Sequence, residues 1–300
     1  MIGKVTKFSA DEVKHTGDAT CLLYLNGYLY SGGADGKIKV WNDKLELVKD
    51  INAHDSYIYA ICANSKGVIY SSSCDGTIKY FENPLANSCE PIILMKTDHD
   101  EIISLVCVDD VLYSGDDKGI VIKWVDNKIT FKYNIVEEVR SMAVEKNLLY
   151  TARDLDCVIT DLLEGKTGRY VTKATIEGRA PVTLFGPKEN EISMYLVFTT
   201  RSGKGISLVR NKQPFDSVWN KEDAHEMIIN TVCASGSDLY TAGYDGKVKK
   251  WIEVENSPRN VGEVTIGRFI NAICMGADSK VYVADTTGVI SEVCFSSKAG

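Results

Sequence analysis

The chain holds no arginine before residue 140, only four histidines and six prolines in 300 residues, and no apolar run of the roughly 18 residues that a membrane-spanning helix requires. Six prolines against 24 glycines, with 44% apolar residues, exclude collagen-like and proline-rich disordered chains and leave enough apolar mass for a large core. Lysine and arginine total 34 against 41 aspartates and glutamates. The resulting net charge of -7 argues against broad, sequence-independent attraction to nucleic-acid phosphates. None of the nine cysteines falls in a metal or redox spacing, and the two nearest in sequence are Cys62 and Cys74. Asn-x-Ser/Thr sequons are absent, and the leading MIGKVTKFSADEVKH lacks the apolar stretch of a secretory signal. A reducing compartment is therefore expected, the cytoplasm or also the nucleus, without secretion.

What the chain does have is a repeat. Seven related thirteen-residue windows start at 29 (LYSGGADGKIKVW), 69 (IYSSSCDGTIKYF), 112 (LYSGDDKGIVIKW), 149 (LYTARDLDCVITD), 197 (VFTTRSGKGISLV), 239 (LYTAGYDGKVKKW) and 281 (VYVADTTGVISEV). Each opens on an apolar-aromatic pair, passes through small residues to a polar turn, and continues as an alternating stretch such as Ile38, Lys39, Val40, Trp41. That pattern predicts strand, tight turn, strand. Another apolar segment precedes each window (CLLYL, IYAICA, ISLVCV, RSMAV, VTLF, NTVCA, NAICM), and an extended one follows, for example LELVKDI or ITFKYNIV. Each unit therefore reads as four short strands.

Four-stranded units of this length are similar to the blades of a β-propeller, and these resemble WD40 repeats. The resemblance implies an all-β fold: a seven-bladed propeller in which each blade is a four-stranded antiparallel sheet. It also implies a hydrogen-bonded set of His, Ser/Thr, Asp and Trp in each complete blade. Matching residues are His15, Ser31, Asp35 and Trp41 in the first repeat and His225, Thr241, Asp245 and Trp251 in the sixth. The third offers His99, Ser114, Asp117 and Trp124, and the second has His54, Ser71 and Asp75 with Phe81 in place of Trp. All four histidines precede their turn aspartate by similar distances, 20, 21, 18 and 20 residues. Repeats 4, 5 and 7 lack both the His and the Trp.

Blade limits follow as about 15–52, 54–97, 99–136, 138–176, 179–222, 225–266 and 268–296 within a single domain. The seventh unit runs out after its third strand, while residues 1–8 form an unassigned extended segment. The N-terminal segment is expected to supply the missing outer strand and so close the ring.

Little in the chain points to bond-making chemistry. Every histidine has a structural assignment, which removes the usual general base and metal ligand, so neither a catalytic residue nor a metal or other cofactor is expected. The GKT at 165–167 lacks the glycine that a phosphate-binding loop needs five residues earlier, where Thr160 stands. Cys62, Cys107, Cys233 and Cys274 follow the apolar anchor of the innermost strand and fit small buried positions. The Arg-Arg pair of phosphoinositide-binding propellers is absent. So is the Trp-Asp-x-Arg of ubiquitin-ligase receptors, since Trp41, Trp124 and Trp251 are followed by Asn42, Val125 and Ile252.

In a WD40-like ring, the loops leading into the innermost strands and the turns between second and third strands share one face. Five of the eight arginines map there: Arg140, Arg153, Arg179, Arg201 and Arg268. Arginine makes forked bonds to carboxylate and phosphate, so these positions suggest an acidic or phosphorylated peptide ligand. Solvated side chains paired with nearby acids are the other reading. Tyr57, Tyr59, Tyr244 and Phe269 fall at corresponding positions and suit a recognition surface.

The expected function is a non-catalytic scaffold or adaptor that binds other proteins, as part of a multiprotein complex, with no small-molecule substrate, no membrane insertion and no nucleic acid. The alternatives are a substrate receptor of a ubiquitin ligase and a lipid- or nucleic-acid-binding propeller. A propeller enzyme using Asp116 or Asp285 is a further alternative.

Overall fold

A computed structural model of the chain describes residues 2–97, 100–135, 137–163, 168–252 and 258–296. Among them, strands collect into seven four-stranded sheets, and the one helical element is a short 3-10 turn at Ala277–Ser279. The chain divides into two compact units. The first comprises Lys7–Arg140 with Val283–Ser291, and the second comprises Met1–Thr6, Ser141–Tyr282 and Glu292–Gly300.

Three complete sheets lie in the first unit. They are β2 (Ala19–Leu25), β3 (Tyr28–Gly33), β4 (Lys37–Trp41) and β5 (Leu47–Asn52); β6 (Ile58–Ala63), β7 (Ile69–Ser73), β8 (Thr77–Phe81) and β9 (Ile92–Lys96); and β10 (Ile102–Val108), β11 (Val111–Asp116), β12 (Ile120–Val125) and β13 (Lys128–Asn134). The second unit holds β14 (Ser141–Glu145), β15 (Leu148–Ala152), β16 (Asp156–Asp161) and β17 (Val171–Glu177), then β18 (Arg179–Glu189), β19 (Ile192–Thr199), β20 (Ile206–Arg210) and β21 (Ser217–Lys221), then β22 (Ile229–Ser235), β23 (Asp238–Gly243), β24 (Lys247–Ile252) and β25 (Arg259–Thr265). A seventh sheet runs β1 (Ile2–Phe8), β28 (Ile290–Ser296), β27 (Val281–Asp285), β26 (Ile270–Met275). Seven successive four-stranded antiparallel sheets make this a seven-bladed β-propeller.

The thirteen-residue windows become the second and third strands of each sheet. Leu29 faces Trp41 and Tyr30 faces Val40 across one pair, and Leu239 faces Trp251 across another. Both faces of these strands are covered, so Leu29, Tyr30, Val40 and Trp41 are all buried. Apolar side chains of neighbouring sheets merge into shared cores. Ile38, Val40 and Ile51 meet Ile58, Ile69 and Phe81 in the first unit; Val197, Ile206 and Leu208 meet Ile229, Leu239 and Trp251 in the second.

The Asp-Gly turns have a steric cause. Gly36 sits at φ +72, and a Cβ there would lie 2.2 Å from the His54 carbonyl oxygen, so a side chain is excluded by both conformation and space.

The N-terminal segment pairs with β28. In the second unit Thr6 Oγ1 donates to Glu292 Oε1 at 2.6 Å; in the first, Ser9 N donates to the Ile290 carbonyl at 2.8 Å. A Cβ on Gly3 would collide with Val264 and Phe295, so the strand lies close against them.

A recurrent irregularity shapes the innermost strands. The register slips between Ala19 and Cys21, between Ile58 and Ala60, and between Ile229 and Thr231. A β-bulge re-aims the extra residue. Here that residue reaches the next sheet: Thr20 Oγ1 donates to the Ile58 carbonyl at 2.5 Å, Tyr59 OH to Glu101 Oε2 at 2.5 Å, and Asn230 Nδ2 to the Asn271 carbonyl at 3.1 Å.

Candidate functional site

The histidines sit in loops that precede their sheets and fold back onto the Asp-Gly turns. His15 Nδ1 lies 2.9 Å from Asp35 Oδ1, His15 Nε2 lies 2.7 Å from Ser31 Oγ, and Trp41 Nε1 donates to the same hydroxyl at 2.9 Å. The donors run one way, indole to serine, serine to imidazole, imidazole to carboxylate, which fits a neutral ring protonated at Nδ1. In the second unit His225, Asp245, Thr241 and Trp251 repeat this chain at 2.9, 2.8 and 2.9 Å. Connectivity of the Ser-His-Asp type also occurs in hydrolases. Ser31 and Thr241, however, are fully buried and accept an indole, so these chains tie loops to strands.

The second sheet solves the same problem without tryptophan. His54 Nδ1 lies 3.1 Å from Asp75 and 2.9 Å from Thr77 Oγ1, with Nε2 2.7 Å from Ser71 Oγ. Buried Phe81 fills the indole's place.

The third sheet departs from the expected set. Ser114 accepts Trp124 Nε1 at 3.0 Å, while His99 lies outside the described residues. Two aspartates divide the task that Asp35 performs alone. Asp117 Oδ1 accepts the Glu101 amide at 3.1 Å, and Asp116 Oδ1 accepts the turn amides of Lys118 and Ile120 at 3.0 and 2.7 Å. Asp285 does for its turn what Asp116 does, accepting from Thr287 N, Thr287 Oγ1 and Val289 N. Both carboxylates considered for catalysis are thus engaged by their own turns.

These environments set the acid response. Burial alone would raise the Asp35 carboxyl, but the hydrogen bond from His15, with those from the Thr16 and Lys37 amides, outweighs it and holds the group at about 2 against an ordinary 3.8. Asp75 and Asp245 are lowered in the same sense, again against the opposing effect of burial. Burial also lowers His54. In each case the unfolded chain takes up protons first, so stability is full above the unfolded value and is lost as pH falls through the folded one. Asp116, raised chiefly by burial, acts in the opposite direction. Asp35→Asn is expected to flatten the loss of stability between about pH 5 and pH 2 by roughly 1–2 kcal/mol, read from urea midpoints. A variant as acid-sensitive as the parent refutes that assignment.

All nine cysteines are free thiols. Burial pushes Cys21 and Cys107 up to about 11 and Cys157 and Cys233 up to about 12, and it raises Cys62 and Cys274 well above the ordinary thiol value, so they stay protonated at neutral pH. Among the described residues no three His, Cys, Asp or Glu side chains gather as a metal site, and no helix is long and apolar enough to cross a membrane. The GKT at 165–167 lies outside the described residues.

The arginines do not form a set of free cations. Arg140, in the first unit, pairs with Glu138 at 3.0 Å. In the second unit Arg153 grips Asp156 with both Nε and Nη2, closing the β15–β16 turn where Asp-Gly is missing. Arg179 Nη2 meets Asp154 at 3.1 Å, and Arg201 Nη1 meets Glu177 at 3.3 Å. Arg268 is half-buried beside the backbone of Gly246. Tyr59 spends its hydroxyl on Glu101, with its ring 5.0 Å from that of Tyr57.

A continuous surface does form within the second unit. The Gly203 turn lies between Arg179 and Ile228: a Cβ there would be 3.3 Å from Arg179 Nη1 and 3.4 Å from Ile228 Cγ1. The Tyr244 amide donates to the Ile228 carbonyl at 2.9 Å, and the Tyr244 ring packs 5.5 Å from Phe269. Met227 and Ile228, consecutive in one loop, and Phe269, packed against Tyr244, are 43%, 36% and 50% exposed, an unusual cost for three large apolar side chains. Met227 and Ile228 gave no sequence signal, because they belong to an irregular loop.

The fold and its loops define the class, a β-propeller that presents side chains from the turns of its blades. More particularly, residues 9–42 and 45–82 of the chain match the family model described as "WD domain, G-beta repeat". Over 98% of its length it is similar in structure to the WD40 β-propeller domain of Doa1, at a TM-score of 0.80 and 13% identity, covering 97% of that chain. A computationally designed protein, Ika8, superposes over 93% of the chain and 97% of its own at a TM-score of 0.66 and 18% identity. In sequence the chain is 29% identical over 260 residues, 81% of its length, to the protein of Medicago truncatula named "Putative E3 ubiquitin-protein ligase LIN". A 71-residue stretch, 23% of the chain, is 30% identical to "Putative E3 ubiquitin-protein ligase LIN-1" of Lotus japonicus. The aligned stretches span 16% and 5% of those proteins. WD40 propellers typically bind other proteins and are generally non-catalytic.

Proposed function

We propose that this chain is a non-catalytic scaffold or adaptor of the cytoplasm, recognising partner proteins through the surface of Ile228, Tyr244 and Phe269. The observation that carries this reading is the exposure of Phe269 and Ile228 beside Arg179 and Arg201. An apolar centre with arginine at its edge has the composition of a binding hot spot. The Arg201–Glu177 pair is open to water on both sides, at 64% and 66% exposure, so an incoming carboxylate or phosphate exchanges for Glu177 at little cost. An acidic or phosphorylated peptide carrying an apolar side chain is the ligand this arrangement suits. Arg153, held at two points by Asp156, takes no part.

A second reading draws on the names of the relatives, in which a propeller of this kind would serve as the substrate receptor of a ubiquitin ligase. Phe269→Ala with Ile228→Ala is expected to leave the melting temperature unchanged and to cut partner recovery in affinity purification at least about tenfold. Unchanged recovery overturns the proposed surface. A ligase role would appear as recovered partners whose ubiquitylation falls with the same variant.

A further inference from the structure

Two cations of the second unit that make no ion pair among the described residues, Arg210 and Lys212, lie at the other end of the sheet that carries Arg179. β18 runs from Arg179 to Glu189, so its far end is about 30 Å from the apolar surface. There, below the hairpin tip at Asn190 and Glu191, a cavity of about 190 Å³ opens to solvent, room for about six water molecules.

Its floor is polar and held in place. Ser193 and Asn211 are each 6% exposed. Tyr150 OH donates to Asn211 Oδ1 at 2.8 Å, Asn211 Nδ2 donates to the Ser193 carbonyl at 3.0 Å, and Ser193 Oγ donates to Glu145 Oε1 at 2.9 Å. Among the described residues the second Nδ2 proton of Asn211 has no acceptor. Arg210 and Lys212 also line the cavity, and neither makes an ion pair among the described residues. Arg210 lies over the Tyr195 ring at 6.0 Å, which positions the guanidinium without neutralising it. Ile192 and Met194 supply an aliphatic wall, and Glu189 a single negative charge.

We propose that this pocket receives the carboxylate side chain of an acidic residue presented by a partner protein. Arg210 and Lys212 supply the charge, the spare Asn211 proton a directed bond, and Ile192 and Met194 the contact for methylene groups. Glu189 disfavours a doubly charged phosphate, which selects a carboxylate.

The test is an NMR titration of the chain with N-acetyl-glutamate N-methylamide, its glutamine analogue and inorganic phosphate. The glutamate probe is expected to give saturable shifts at the Ser193, Met194 and Asn211 amides, with the glutamine analogue at least tenfold weaker. Arg210→Gln with Lys212→Gln should abolish the response. Lys212→Gln alone, at an exposed position, should weaken it several-fold and keeps the test readable if the double variant does not fold. Phe269→Ala should leave it intact, so this pocket and the apolar surface stand or fall separately. Equal response to the glutamine analogue, tighter binding of phosphate, or an unaltered response in Lys212→Gln overturns the proposal.

Discussion

Deletion of residues 2–8 is expected to lower the melting temperature by on the order of 10 °C and to make the protein prone to self-association. The strand removed is short, but it covers one edge of β28, whose Ser291, Glu292 and Val293 are almost wholly buried. Glu292 would lose the Thr6 hydroxyl and keep Lys280, whose Nζ is 3.6 Å away. A buried carboxylate deprived of a partner costs roughly 1–3 kcal/mol or more, and the β1 pairing and the contacts of Gly3 with Val264 and Phe295 are lost besides. Calorimetry at several protein concentrations, with light scattering for the exposed edge, reads both effects. A deletion variant that melts with the parent would show that β1 contributes nothing to the seventh sheet.

The second large effect is expected from Trp251→Ala. Trp251 is 2% exposed, packs edge-on to Trp219 with ring centroids 6.0 Å apart, and donates to Thr241. Its removal leaves a cavity and strips Thr241 of a donor, for a cost of about 3–5 kcal/mol in unfolding free energy. Trp251→Phe should cost only about 1–2 kcal/mol, because it keeps most of the volume and loses chiefly the hydrogen bond. Phe81, 1% exposed at the corresponding place in the second sheet, shows that a phenyl ring fits this position. Urea midpoints compare the two variants, and an equal loss from both would place the stabilisation in the indole N–H alone.

The fold was legible because its period is long and its strands are buried on both faces, so each thirteen-residue window carries the same apolar-aromatic pair. Tyr30, Tyr150, Tyr240 and Tyr282 are all buried in consequence. A hairpin of fixed length also carries His225 to Asp245, which is why a spacing of 20 residues has physical meaning. The inter-sheet role of the bulged residues was not legible: Thr20, Tyr59 and Asn230 are three different residue types with only a donor group in common, and only the slipped register turns each toward the neighbouring sheet. Asp116 and Asp117 are adjacent and identical, and the path of the backbone alone decides which holds the turn.

Charge was the least legible property of the candidate site. An arginine's partner is chosen in space, so nothing in a linear reading separates Arg153, locked to Asp156, from Arg210, left facing a cavity. Ranking arginines by the loop they occupy favours the ones that close turns. Ranking them by unspent hydrogen-bonding capacity favours Arg210.

The pairing of β1 with β28 also governs how this chain can be joined to anything else. The Ile2 carbonyl and Ser296 Oγ are 3.5 Å apart, so polypeptide joined directly to these two residues would depart from a single spot on the surface. Spliced into a longer protein, the whole chain could be inserted at one loop as a cassette. The host's two flanking segments would then be brought as near to each other as they are across a hairpin.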